Sequence, residues 1–197
     1  MSGTPFQSIT TFQQIAELLE EQEYSFKSDP DGPTRAAVAM ILHQGPDDME
    51  VLFIQRAAHD LDPWSGHLAF PGGKLEAGER ACEAARRETL EEVGLDLNAA
   101  RYLGRLADIV GANLPVAVSC CVFGVDKLLF VPALNEEVSE LFWVSLSELR
   151  QPERHVMAPV AFDDRRLEVP AIRLPGLEHP VLWGITYRLL MQLLELG

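Results

Sequence analysis

Residues 72–95, GGKLEAGERACEAARRETLEEVGL, set a glycine turn against a helix, and they restrict the fold more than any other stretch. With successive side chains about 100° apart, Glu88, Glu91 and Glu92 fall at about 0°, −60° and +40° around that helix, so their carboxylates share one side. Ala81, Ala84 and Ala85 hold the same stripe one and two turns earlier. Small residues let a helix lie close on its neighbour, and a purely structural helix would continue the stripe with Leu or Val. Here it continues with acid. Bunched carboxylates raise one another's pKa unless a cation or an arginine neutralises them, and hard oxygen ligands select Mg²⁺ or Mn²⁺ over softer metals. A solvated acidic face is the plain alternative. The order of residues around the stripe decides against it.

Gly73 is followed after five residues by Glu79, and after seven more by Arg87-Glu88-Thr89-Leu90-Glu91-Glu92-Val93-Gly94-Leu95. This pattern resembles the Nudix box of the Nudix hydrolases and meets it at every fixed polar and glycine position. Thr89 stands where the family usually has an aliphatic residue, and its valine-like shape still packs. The resemblance implies an α/β protein, an α/β/α sandwich around a central mixed β-sheet, that cleaves a diphosphate by attack of metal-activated water. It implies a catalytic set of Glu88, Glu91, Glu92 and Arg87. The three glutamates would hold the metal with the carbonyl of Gly72 or Gly73, and one of them would deprotonate the water. Arg87, about −100° from Glu88 on the helix, is placed to pair with Glu79 and hold the loop down. Gly72, Gly73 and Gly78 suit the turns, and Gly94 suits the helix C-terminus.

The remaining numbers exclude more than they assign. A chain of 197 residues, 47% hydrophobic and 23% charged, is expected to form one soluble globular domain. Its parts would be a helical extension over 1–30, a core over 34–150 and a C-terminal helix over 181–196. No run of 18 apolar residues marks a membrane span, and MSGTPFQSITTF lacks a signal pattern, so a cytoplasmic location is expected. A net charge of −14 argues against nucleic acid as a partner. Cys82, Cys120 and Cys121 lack metal-ligand spacing and are expected to be reduced, buried thiols.

Hydrophobic periodicity predicts a helix over Thr11 to Glu21 and strands over Arg35 to His43, Glu50 to Arg56 and Leu68 to Phe70. After the box, strands are predicted over Arg101 to Val110, Val116 to Val125 and Glu140 to Val144, then a short helix from Leu146 to Arg150. Val181 to Leu196 is apolar on nearly all faces. It either closes the core or forms a homodimer interface, leaving monomer and homodimer both open.

Residues 52–73, LFIQRAAHDLDPWSGHLAFPGG, resemble the segment that precedes the box in the coenzyme A pyrophosphatase branch of the family. The match falls on Leu52, Arg56, Ala57, Gly66, Phe70, Pro71, Gly72 and Gly73. Ile54 replaces a threonine of that pattern, Leu61 or Asp62 stands in place of its second arginine, and the Ala57 to Gly66 spacing is one residue longer. His59, His67 or Arg80 would then supply the cation for a 3′-phosphate. The C-terminal HPVLWGITYRLL also resembles that branch. The resemblance implies a small-molecule nucleotide diphosphate substrate, coenzyme A or an acyl-CoA first. ADP-ribose, a nucleotide sugar or a nucleoside triphosphate is the alternative, and a non-hydrolysing nucleotide sensor a further one. Arg56, Trp64, His67, Phe70 and Glu137 are the candidate substrate-side residues, Trp64 and His67 as an aromatic wall and Glu137 as a loop acid.

Overall fold

The computed structural model describes residues 11–20, 34–59, 64–111, 116–162, 165–177 and 179–196. In chain order these form α1 (Phe12–Glu20), β1 (Thr34–Gln44), β2 (Met49–Arg56), β3 (Leu68–Ala69), β4 (Gly72–Lys74) and α2 (Ala81–Val93). There follow β5 (Arg101–Val110), β6 (Val116–Val125), β7 (Val138–Ser145), α3 (Leu146–Leu149), β8 (His155–Phe162), β9 (Arg165–Ile172), β10 (Leu182–Trp183) and α4 (Gly184–Leu194). Every strand and helix predicted from the sequence up to Arg150 appears, with ends moved by a residue or two. The predicted extension before Thr11 and over 21–30 lies outside the described residues.

Seven strands make one sheet in the order β3-β2-β1-β6-β5, with β4 added to β1 and β7 to β2. β1 and β6 run parallel from Thr34 opposite Val116 to His43 opposite Val125, while the other pairs are antiparallel, so the sheet is mixed. Alternation along β1 divides the core into two layers. Met40 and Leu42 face a layer with Ile15 and Leu19 of α1 and Leu189, Leu190 and Leu193 of α4. Ala37, Ala39 and Ile41 face a second layer with Ala81, Ala84 and Ala85 of α2. Alanine meets alanine across that second interface, and α2 therefore lies low on the sheet. That close approach is what brings its glutamates down to the glycine turn.

Three parts of the molecule depart from the sequence reading. The C-terminal segment is not one helix from Val181: Leu182–Trp183 is a strand, and α4 starts at Gly184. It closes the core through Leu189, Leu190, Leu193 and Leu194. Gln192 docks it on β5, its side-chain nitrogen donating to Ala107 O (3.2 Å) and its oxygen accepting from Ala107 N–H (2.9 Å). Those are backbone groups freed where the β5–β6 register shifts between Leu106 and Ile109. Second, β8, β9 and β10 form a separate three-stranded sheet that periodicity did not suggest. Pro159 and Pro170 interrupt its two longer strands in sequence, and proline argues against a strand wherever its missing N–H would be needed. Third, the cysteines are not all thiols. Cys82 on α2 is bonded to Cys121 on β6, and Cys120 alone remains free and buried. Helical and strand spacing place 82 and 121 on facing surfaces, a proximity that no motif in the chain announces.

Candidate active site

The glycine turn is held against β1, with Gly72 opposite Val38 and Gly73 opposite Ala37. Gly72 has φ 153°, and a side chain there would drive into the Ala37 carbonyl and Val38. A side chain on Gly73 would drive into the Glu88 carboxylate. The turn is therefore glycine because backbone, β1 and α2 meet there without room for a methyl group. The Gly72 N–H donates to Glu92 Oε2 at 2.9 Å.

Arg87 gathers the rest of the box. It forks onto Glu79, Nε to Oε1 at 2.9 Å and Nη2 to Oε2 at 3.0 Å, and Nη2 also reaches the Lys74 carbonyl at 3.1 Å. Its Nη1 bonds Glu88 Oε1 at 2.9 Å and Glu91 Oε2 at 3.3 Å. The expected Arg87–Glu79 pair is thus present, and the contacts to Glu88 and Glu91 were not foreseen. The fork from Arg87 holds the Glu79 carboxyl below its ordinary value, and the Glu79 carboxylate raises Arg87. The described contacts of Arg87 are thus all to the loop and to the glutamates.

Glu92 is the unusual member. It is 2% exposed, against the sheet and turn. Burial pushes its carboxyl up to about 8, opposed by the Gly72 N–H; the Glu88 charge adds to the push, Arg56 opposes it and Glu137 adds again. Arg56 ends β2, and Glu137 follows a loop that caps α2. Gly94, left-handed at φ 75°, ends the helix with its N–H on Leu90 O, as expected. Ala133 N–H then donates to Val93 O at 2.9 Å and Asn135 N–H to Glu92 O at 3.0 Å, satisfying the free carbonyls at the helix end. Asn135 Oδ1 accepts from Glu137 N–H at 2.9 Å, and the Glu137 carbonyl accepts from Ala57 N–H at 2.8 Å, next to Arg56. The capping role of 133–135 was not read from the sequence; Asn135 with acids after it was the available signal.

Among the described residues, no three His, Cys, Asp or Glu side chains are gathered closely enough to hold an ion as they stand. The convergence expected from helical spacing is modified by Arg87, which draws Glu88 and Glu91 to itself while Glu92 turns to Gly72. The donor set still fits a hard divalent cation. It is all oxygen, it lies on one helix flank, and it contains a carboxyl that burial and the neighbouring Glu88 charge push up to about 8.

The remaining candidates divide. Arg56 and Glu137 lie within electrostatic reach of Glu92. Trp64 is 39% exposed in the approach loop, its carbonyl accepting from His67 N–H at 3.0 Å. The His67 ring meets Trp183 edge-on at 5.2 Å, so its described partner is the second sheet. Phe70 is buried and stacks on Phe53, ring centroids 5.1 Å apart, in the core layer shared with α1 and α4. His59 N–H donates to Ser65 Oγ at 2.8 Å, and Leu61 and Asp62 lie outside the described residues.

The sequence profile of the NUDIX domain matches residues 33–163. The chain belongs to the Nudix family. Nudix hydrolase NudL of Salmonella paratyphi B, itself uncharacterized, is 31% identical over 149 residues, 75% of each chain. An uncharacterized protein of Schizosaccharomyces pombe is 40% identical over 114 residues, 52% of this chain and 34% of that protein, so the chain spans about a third of that relative's length. A MutT/nudix family protein from Enterococcus faecalis has a crystal structure that aligns with 92% of this chain and 67% of its own, at TM-score 0.56 and 17% identity. At that identity the likeness is one of fold, and the mixed α/β architecture agrees. Nudix hydrolases act on the diphosphate bonds of nucleoside diphosphate derivatives and generally depend on a divalent metal.

Proposed function

We propose that this chain is a metal-dependent diphosphatase whose substrate is coenzyme A or an acyl-CoA, split to 3′,5′-ADP and 4′-phosphopantetheine or its acyl form. The observation that carries the reaction is Glu92, a buried carboxyl anchored by the Gly72 N–H, with the charges of Glu88, Arg56 and Glu137 acting on it. Glu88, Glu91 and Glu92, with the Gly72 carbonyl, would hold Mg²⁺ or Mn²⁺. Bound there, the ion would neutralise the diphosphate and lower the pKa of water.

The chain's own groups do the rest. Arg56, whose charge acts on Glu92, would pair with a phosphate oxygen. A glutamate of the set takes the proton from water as its oxygen bonds to phosphorus and the bridging P–O bond breaks; Glu137, whose charge also acts on Glu92, is the second candidate for that duty. Arg87 holds Glu88, Glu91 and the 74–79 loop in place for both steps. The tight turn at Gly72 and Gly73 lets the backbone lie against β1 and the Glu88 carboxylate, which keeps the Gly72 carbonyl beside the glutamates.

The 52–73 pattern supports coenzyme A as the substrate. The test is Mg²⁺-dependent hydrolysis of coenzyme A, acetyl-CoA, dephospho-CoA, ADP-ribose, NADH, diadenosine polyphosphates and nucleoside triphosphates, with products identified by mass. Coenzyme A cleaved well ahead of dephospho-CoA is the expected result. Equal rates on those two, or cleavage confined to ADP-ribose or triphosphates, would overturn the substrate. No hydrolysis of any of them would replace the enzyme with a nucleotide sensor.

A further inference from the structure

The attachment of α2 to the sheet is covalent at one end and thin elsewhere. The side chains that α2 buries are Ala81, Ala84, Ala85, Thr89, Glu92 and Val93, of which Val93 alone is an aliphatic group larger than a methyl. At roughly 25 cal/mol per Å² of apolar surface, alanines hold a helix only weakly. Near its start the helix is fastened instead by the Cys82–Cys121 disulfide. Cys121 is fully buried on β6, opposite Ala39 of β1 on one side and Arg105 of β5 on the other. The bond therefore fixes the first turn of α2 to the interior of the sheet.

That turn is joined to the acidic flank through the loop before it. Arg80 N–H donates to Glu83 Oε2 at 2.9 Å, and Glu76 N–H donates to Glu79 Oε2 at 2.9 Å. Glu79 in turn takes the Arg87 fork, and the same guanidinium holds Glu88 and Glu91. Freedom given to the first turn passes along this chain of contacts to the glutamates. It runs through the loop, not across the helix.

The setting of the three cysteines makes the bond exchangeable. Cys82 is half-buried beside Tyr102, which is 47% exposed and has its hydroxyl 4.0 Å from Cys82 Sγ, whereas Cys121 is sealed. A thiolate arriving from solvent meets Cys82. Cys120 belongs to the opposite core layer with Met40 and Leu42, and burial pushes its thiol up to about 12. It is neither placed nor ionised to compete, so Cys82 and Cys121 re-form one bond.

We propose that thiol–disulfide exchange at Cys82–Cys121 is a switch on the first turn of α2, and that reduction loosens the Glu79–Arg87 clamp holding Glu88 and Glu91. The reductant is a dithiol. One of its thiolates attacks Cys82 Sγ, the S–S bond breaks, and Cys121 leaves with the electron pair and takes a proton. The second thiol then displaces Cys82, which is protonated in turn, so two electrons reach the protein and the dithiol ends as a disulfide. The consequence for metal binding rests on the diphosphatase reading; the switch itself does not.

The test compares the full chain, air-oxidised and after dithiothreitol, by thiol labelling read by mass, amide hydrogen exchange, Arg87 Nε–H NMR and Mn²⁺ binding. Dithiothreitol is expected to expose the 82 and 121 thiols of the folded chain and to speed exchange over 81–87 about tenfold. The Arg87 signal is expected to move with it, and reoxidation to reverse both changes. Cys82→Ala, which alanine's helix propensity suits, is expected to start in the loosened state and to ignore dithiothreitol. Mn²⁺ is expected to bind the reduced chain about threefold or more weakly. A bond absent from the oxidised chain, a bond that opens only in denaturant, or equal exchange and an unmoved Arg87 signal in the two forms would overturn the switch. Equal Mn²⁺ affinity in both forms would overturn its reach to the glutamates. Mn²⁺ bound by neither form, with exchange still faster and the Arg87 signal still moved, supports the switch and counts against the metal reading alone.

Discussion

The two flanks of α2 carry opposite charge and are finished in opposite ways. Toward the glycine turn, Glu88, Glu91 and Glu92 have their oxygens placed by Arg87 and by the Gly72 N–H. Toward β5, Arg86 has an aromatic ring beneath it and no carboxylate in contact among the described residues. One helix thus separates an acidic flank that suits a cation from a flank whose arginine lies on an aromatic ring. The distinction comes from what lies opposite: strained glycine backbone offering N–H groups on one side, a strand edge with tyrosine and arginine on the other. The comparison breaks first at Glu92. Glu92→Gln is expected to lower kcat by roughly 10²-fold or more while leaving the fold intact, because an oxygen ligand is lost without a change of volume. Near-normal turnover in a kinetic assay of that variant would remove the metal role from this flank.

A second prediction uses the same residue without catalysis. In the metal-free protein the Glu92 carboxyl is raised from its ordinary 4.5 to about 8. The folded state therefore favours the protonated form. Its stabilising contribution is full below about pH 4.5 and is lost as pH rises through about 8. At 1.36 kcal/mol per pKa unit, the loss attributable to Glu92 is a few kcal/mol at most. Denaturant melts of metal-free protein at pH 6 and pH 9 are expected to show a fall that Glu92→Gln largely abolishes and that added Mg²⁺ reverses at the higher pH. A variant with the same pH slope as the parent would show that Glu92 is not the group responsible.

The acidic flank was legible in the sequence and the basic flank was not, for a physical reason. Glu88, Glu91 and Glu92 come from one helix, whose spacing is fixed, and their link to Gly73 and Glu79 runs through a short loop. Arg86 is on that helix too, but Tyr102 comes from another strand, and the Phe123 ring of β6 is what both of them meet. The same division holds for the fold. β1, β5 and β6 are apolar runs whose strand character is local, whereas β8 and β9 carry Pro159 and Pro170 and acquire strand geometry by pairing with each other. Phe70 was legible as part of a motif but not as core, since only the β2–β3 pairing sets its ring on Phe53. Cys82 and Cys121, 39 residues apart, become neighbours through the packing of α2 on β6.

The smaller effects sharpen how far each flank extends. Gly94→Ala is expected to cost about 1–2 kcal/mol, since alanine is strained at φ 75° and its methyl group would meet Ala133 Cβ at 2.7 Å. Turnover should fall with it, because Ala133 belongs to the loop that carries Glu137; a melt shifted without any loss of rate would detach that loop from the acidic flank. Leu90→Gln should do least. Leu90 is 49% exposed and lies about 160° around the helix from Glu88, and its contribution to the α2 cap is a backbone carbonyl that glutamine keeps. Glutamine is also close to leucine in helix propensity, so stability is expected to change by no more than about 0.5–1 kcal/mol. Turnover should match the parent. A rate loss in Leu90→Gln comparable to that of Glu92→Gln would mean that α2 transmits change across its width and that its flanks do not act separately.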